Sequence, residues 1–133
     1  MGAGARPLEA CPLHLGPGGM AEALPPFTGP DWYADYDAAH GADGAEGRLV
    51  SLHHFTADWD AWEMHPLGAE VVICIAGAAT LIQREAGGAH RRIPLAPGDH
   101  AINPPGVWHT ADVPAAASLI FITVGAGTQG EPR

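Results

Sequence analysis

The sequence predicts an all-β fold, and two features of its longer second part carry that prediction. From Arg48 onward, short apolar segments follow one another at regular spacing, and turn-forming residues such as Gly87-Gly88 and Pro104-Pro105-Gly106 separate them. No stretch of helical periodicity interrupts this pattern over a convincing length. Many short strands with turn signals about every 8–12 residues are typical of a β-sandwich or a β-barrel.

The predicted strands fill most of the chain after Gly47. They cover residues 48–56, 59–65, 70–76, 78–84, 89–94, 99–103, 107–113 and 117–124. The strands 70–76 and 118–124 are apolar on both faces, whereas a half-solvated strand should alternate apolar and polar residues. We therefore expect a cover on the outside, either the N-terminal arm or a second subunit, and we predict a homodimer.

Residues 1–47 differ in character from the rest. This segment is rich in Gly, Pro and Ala, with turn signals such as Gly16-Pro17-Gly18-Gly19, and it lacks strand-like runs. We predict an irregular N-terminal arm over residues 1–47, packed on the barrel or on a partner subunit, and a barrel domain over residues 48–133. A short helix beginning near Asp31 is an alternative for part of the arm.

The composition bounds the location and the partners. The chain has 133 residues and a formal net charge of −9, with no lysine and six arginines. Nucleic-acid binding needs clustered cations, which this sequence lacks. No apolar run reaches the ~18 residues of a membrane span, and the N-terminus does not resemble a secretory signal. The sequence therefore predicts a cytoplasmic protein with no nucleic-acid or membrane partner.

Four potential metal ligands stand out: Glu63, His65, Glu70 and His109. Glu63 and His65 are two residues apart, so they share one face of a strand. A tight turn over residues 66–69 would carry the chain to Glu70, which opens a strand that can run back beside the first. His109 belongs to a separate, later strand. This spacing could bring the four side chains together inside a small β-barrel.

The spacing of these residues resembles the two motifs of the cupin family. The first segment runs Glu63-Met64-His65, four residues, Glu70, six residues and Gly77. The second runs Gly98, five residues, Pro104-Pro105-Gly106, two residues and His109. Two positions depart from the family pattern, because Glu63 replaces the first histidine of the first motif and Val113 replaces the asparagine that ends the second.

This resemblance implies a cupin-type jelly-roll barrel, also described as a double-stranded β-helix, which is often dimeric. Many cupins hold a metal in the barrel mouth, and others have lost it. Here the matching set is Glu63, His65, Glu70 and His109, two imidazoles and two carboxylates instead of the family's three histidines and one glutamate. Such mixed ligands suit Fe, Mn, Ni, Zn or Cu. The alternative is a polar pocket whose imidazoles and carboxylates only bond one another.

The role of Glu63 and the reaction both stay open at this point. Glu63 could be a fourth ligand, an acid beside the ligands or the general base of an enzyme, or it could face solvent at a strand edge. The family includes dioxygenases, isomerases and cyclases, and the fold names no reaction. We predict a metal-binding cupin that acts on a small organic molecule. The alternative is a non-catalytic cupin that binds or senses a small molecule or a metal.

Overall fold

The computed structural model describes residues 4–133, so the first three residues of the predicted arm lie outside the described part. Eleven β-strands, one α-helix and three short 3-10 helices are present in that range. The elements are β1 Leu13–Leu15, β2 Ala21–Ala23, α1 Asp31–His40, β3 Arg48–Phe55, β4 Ala61–Met64, β5 Glu70–Gly77, β6 Ala79–Arg84, β7 His90–Leu95, β8 His100–Asn103, β9 His109–Asp112, β10 Ala117–Thr123 and β11 Gln129–Pro132. The 3-10 helices are Pro17–Gly19, Gly41–Glu46 and Ala86–Gly88.

The strands form two antiparallel sheets. One sheet has the order β2-β1-β3-β10-β5-β8, and the other has the order β11-β4-β9-β6-β7. All eight predicted strands are present, and each lies within the predicted range or within one residue of it. The all-β prediction is therefore confirmed, and the prediction of a closed barrel stays a prediction.

The hydrophobic core lies between the two sheets. The first sheet contributes Val72, Cys74 and Leu119, all fully buried, and the second contributes Leu81 and Ala111, also fully buried. Along β5 these inward side chains alternate with Val71 and Ile73, as the two-residue period of a strand requires. The same alternation places Glu70 on the inner face at the first position of β5.

The N-terminal segment is more regular than we predicted. Strand β1 pairs with β3, with Leu13 opposite Val50, so the segment extends the first sheet. Helix α1 buries Trp32 against Leu24 and Leu49. The prediction that residues 1–47 lack strands is therefore wrong, whereas the short helix near Asp31 is present.

Within residues 4–133, we find no helix with the length and apolar character that a bilayer crossing requires.

Candidate metal centre

Three strands and one turn position the four predicted ligands. Glu63 lies near the end of β4, His65 follows that strand directly, and Glu70 and His109 are the first residues of β5 and β9. Glu63 pairs with His109 in the register between β4 and β9, which brings the two sequence motifs side by side. The structure therefore places all four side chains in one cluster, although His109 is far from the other three in the sequence.

The ligand atoms of this cluster lie close together. His65 Nε2 is 3.2 Å from one oxygen of Glu70, Oε2, and His109 Nε2 is 3.2 Å from the other, Oε1. Glu63 Oε2 is 3.9 Å from His65 Nε2. One donor atom each from Glu63, His65 and His109 lies within 4.8 Å of the other two, which is a spacing that a single cation can bridge.

The inner nitrogens of both imidazoles lack hydrogen-bond partners. His65 Nε2 and His109 Nε2 are buried, and neither is directed at a described acceptor in hydrogen-bond geometry, despite the nearby Glu70 oxygens. A buried polar atom without a partner costs about 1–3 kcal/mol. These two nitrogens therefore lie where a cation would satisfy them.

The Nδ1 atoms of both rings form hydrogen bonds, which leaves the Nε2 atoms available to bind a cation. His109 Nδ1 lies 3.2 Å from the carbonyl oxygen of Val107, to which it must donate. Thr128 donates its hydroxyl proton to the carbonyl of Gly125, so its oxygen accepts from His65 Nδ1 at 2.8 Å. Because each Nδ1 donates its proton outward, Nε2 is the nitrogen of each ring whose lone pair would bind a cation when the ring is neutral, as in metal-bound histidines.

Glu70 is held by side chains that the sequence did not single out. Asn103 donates to Glu70 Oε1 at 3.1 Å, and the Thr123 hydroxyl donates to Oε2 at 2.7 Å. Gln83 in turn donates to the Asn103 side-chain oxygen at 2.9 Å. Glu70 is 4% exposed, so these bonds fix the orientation of a buried carboxylate.

The cluster shifts the proton affinities of its members. Burial would raise the pKa of Glu70, but the imidazoles of His109 and His65 outweigh it and hold that pKa well below its usual range. Burial and the Glu70 carboxylate raise the pKa of Glu63. Burial lowers the pKa of His65, but its contact with Glu70 and the charge of Glu63 reverse that effect and leave the pKa above its usual value.

A cavity of about 1010 Å³ opens in front of the cluster. Phe55, Trp59 and Phe121 form one wall, with ring centroids 5.5–6.1 Å apart. The Trp59 ring lies 6.5 Å from the His109 ring, so this wall reaches the cluster. Tyr33 of helix α1 also lines the cavity, so the N-terminal segment contributes to its boundary.

Three further histidines have distinct environments. Of the adjacent pair on β3, His53 is a half-buried ring in the cavity lining, whereas His54 is exposed and contacts Ser118 and Glu9. His14, to which we assigned no role from the sequence, is fully buried. Its only sequence signal is the alternation of Leu13 and Leu15 around it, which is too short to predict a strand.

The comparisons with known proteins concern the fold. No protein-family model matches the chain, and no curated protein matches it. Among solved structures, oxalate oxidase is 13% identical with a TM-score of 0.52, over 61% of this chain and 44% of its own. This chain therefore spans less than half of that oxidase chain.

Two solved structures with cupin descriptions are also similar. A cupin-2 domain-containing protein from Shewanella frigidimarina is 22% identical with a TM-score of 0.49, over 65% of this chain and 71% of its own. A cupin superfamily protein from Desulfitobacterium hafniense is 20% identical with a TM-score of 0.49, over 57% of this chain and 65% of its own. At the level of the fold, the match to oxalate oxidase, with a TM-score of 0.52, supports the predicted family resemblance.

Proposed function

We propose that this chain is a metal-binding cupin that acts on a small organic molecule. His65, Glu70, His109 and Glu63 would hold one divalent cation. The observation that supports this proposal best is the pair of buried Nε2 atoms without hydrogen-bond partners. Both lie beside the Glu70 carboxylate, and Glu63 completes the group.

The surrounding residues suit this role chemically. Val107 and Thr128 hold the rings of His109 and His65 with Nε2 directed inward. Asn103 and Thr123 each take one lone pair of Glu70, and each oxygen keeps a further lone pair for a cation. A bound divalent cation would supply Lewis-acid activation of a substrate oxygen or of water.

Glu63 is the residue to which we assign proton transfer. Its side chain is 43% exposed and lines the cavity, whereas that of Glu70 is 5% exposed. Glu63 is thus the carboxylate of the pair that a molecule in the cavity can reach, as a general acid or base must. This contrast between two carboxylates at one centre favours catalysis over simple metal storage.

Metal titration of the purified protein tests the metal centre. After treatment with a chelator, calorimetric titration with Mn²⁺, Ni²⁺ or Zn²⁺ should give about one site per chain, and a crystal structure of the Zn²⁺-loaded protein should show ligand bonds of ~2.0–2.3 Å. His65→Ala and His109→Ala should each weaken binding at least ~100-fold. Glu63→Ala should weaken it less or change which metal is preferred.

The matched control is His100→Ala, which removes an exposed histidine of β8 outside the cluster. If His100→Ala lowers metal affinity as much as His65→Ala does, or if no metal binds the unaltered protein, the metal centre is wrong. The cavity would then be an organic-ligand site of a metal-free cupin.

A further inference from the structure

The charged groups around the cavity all have the same sign. Its lining includes the carboxylates Asp37, Asp58 and Asp60 in addition to Glu63 and Glu70, and no arginine. The sequence contains no lysine. If Glu63 and Glu70 neutralise a divalent cation, the three aspartates still make the cavity negative.

Three of the six arginines form ion pairs with carboxylates outside the cavity lining. Arg84 pairs with Glu131 and lies 4.5 Å from the centroid of the Trp62 ring. Arg92 and Arg133 both pair with Asp112, and Arg133 also donates to the Trp59 carbonyl. Among the described residues, neither Asp37 nor Asp60 forms an ion pair, so no direct cationic partner offsets these two charges.

The aromatic rings complement this negative charge. One apolar wall of the cavity is formed by the rings of Phe55, Trp59 and Phe121. Tyr33 lies near the cluster: burial raises the pKa of its hydroxyl, and the charge of Glu63 raises it further. Aromatic faces attract cations through their quadrupole. His53, whose pKa burial lowers, adds a polar but uncharged ring at neutral pH.

We propose that the cavity binds a small organic cation. The apolar part of the cation would pack on the wall formed by Phe55, Trp59 and Phe121, and its charge would lie beside Asp37, Asp58 and Asp60. Anionic molecules would meet unscreened carboxylates and no cationic side chain. This inference rests on the proposed function, because it names the class of molecule that the same cavity accepts.

Three probes of similar size and different charge test the proposal. Benzyltrimethylammonium is a cation without a lone pair and cannot coordinate a metal, benzyl alcohol is neutral, and phenylacetate is an anion. We would measure their dissociation constants by NMR titration with both metal-loaded and chelator-treated protein. The cation should bind about tenfold more tightly than the alcohol, and phenylacetate should bind most weakly to the chelator-treated protein. Raising the salt concentration from about 0.05 M to about 0.5 M should reduce the differences between the dissociation constants of the three probes.

Variants locate the effect in the cavity. Asp37→Asn combined with Asp60→Asn should weaken binding of the cation several-fold and leave binding of benzyl alcohol unchanged. Glu46→Gln combined with Glu85→Gln removes the same charge from exposed positions outside the lining and should have little effect. Tyr33→Leu keeps an apolar side chain and removes the ring, so it should weaken binding of the cation more than binding of the alcohol.

The proposal fails if phenylacetate binds the chelator-treated protein as tightly as the cation does, or if none of the probes binds at about 10 mM, a concentration at which even weak ligands are detected. It also fails if the Asp37→Asn, Asp60→Asn variant and the Glu46→Gln, Glu85→Gln variant lose affinity for the cation to the same extent. Failure of the metal centre would be visible separately, as the absence of metal binding in the calorimetric titration.

Discussion

Thr128 contributes to the cluster through a single hydrogen bond, yet it decides which nitrogen of His65 carries the proton. Its hydroxyl donates to Gly125 and accepts from His65 Nδ1 at 2.8 Å. Thr128→Val removes that acceptor while keeping the shape of the side chain. Metal affinity should fall about tenfold, as when outer hydrogen-bond partners of metal ligands are removed.

Calorimetric titration of the Thr128→Val variant with Zn²⁺ measures this effect. Thr56→Val, which alters another threonine of the cavity lining, is the matched control and should leave the affinity unchanged. Equal losses in both variants would mean that the tautomer of His65 is not set by Thr128.

Metal affinity should depend on pH, because a metal ion and a proton compete for the ring of His65. Glu70 and Glu63 leave the pKa of His65 above its ordinary value of 6.5, so the metal-free protein keeps this proton to a higher pH. A metal must displace that proton, and apparent affinity should therefore rise with pH by up to about tenfold per unit below the His65 pKa. Titrations from about pH 5.5 to about pH 8.5 should show that the apparent metal affinity still increases above about pH 6.5. An affinity that becomes constant below about pH 6.5 would contradict this prediction.

The four clustered residues were predictable because each belongs to a local pattern with fixed spacing. Asn103, Thr123 and Thr128 were not, because they reach Glu70 and His65 from strands or loops far along the chain. Asn103 stands opposite Glu70 in the register of β5 and β8, which no local pattern reveals. Residues that support a site from distant strands depend on tertiary register, and the sequence of one chain does not specify that register locally.

At the scale of elements, His14 connects strand β1 to helix α1 and to the segment that follows it. Its ring nitrogens lie 2.6 Å from the Tyr36 hydroxyl and 2.6 Å from Asp43 Oδ2, and the ring stacks on His40 at 4.0 Å. His14 is fully buried. Its removal would leave a cavity and two polar groups without their partner.

His14→Ala should therefore lower the free energy of unfolding by about 2–4 kcal/mol. Chemical denaturation followed by tryptophan fluorescence measures the change, since Trp32 lies on α1. His90→Ala, at an exposed position of β7 on the second sheet, should change stability by less than about 0.5 kcal/mol. A similar small effect of His14→Ala would show that the contact contributes little.

The N-terminal strands β1 and β2 were not predicted from the sequence, and their length and composition explain why. Strands β1 and β2 are three residues long, and they lie among Gly and Pro residues that normally indicate turns. Their stability comes from pairing with each other and with β3, as in the register of Leu13 with Ala23 and Val50. From Arg48 onward, the eight strands β3 to β10 were predictable because each shows its own apolar pattern. Strand β11, Gln129–Pro132, was not predicted, because its residues Gln-Gly-Glu-Pro show no such pattern.

At the scale of the whole molecule, the outer face of the first sheet is apolar and only partly covered. Ile75 is 46% exposed and Ile102 is 52% exposed, and Ile73 and Ile120 lie beside them, half-buried. The N-terminal segment reaches only part of this face, where Glu9 contacts His54 on β3, and among the described residues it leaves Ile75 and Ile102 exposed. Of the two covers that the sequence suggested, the second subunit remains for this surface.

We therefore predict a homodimer that buries the outer face of β5 and β8, since monomers rarely expose a contiguous apolar patch of more than a few hundred Å². Sedimentation velocity should give a dimer at micromolar concentration. Ile75→Asp combined with Ile102→Asp should shift it to a monomer, because a buried pair of carboxylates facing another pair is strongly unfavourable. Leu67→Asp alters a side chain that is 51% exposed outside this face and should leave the dimer intact. A monomeric unaltered protein would contradict the prediction, and so would a dimer that survives both isoleucine substitutions, because the interface would then lie elsewhere on the molecule.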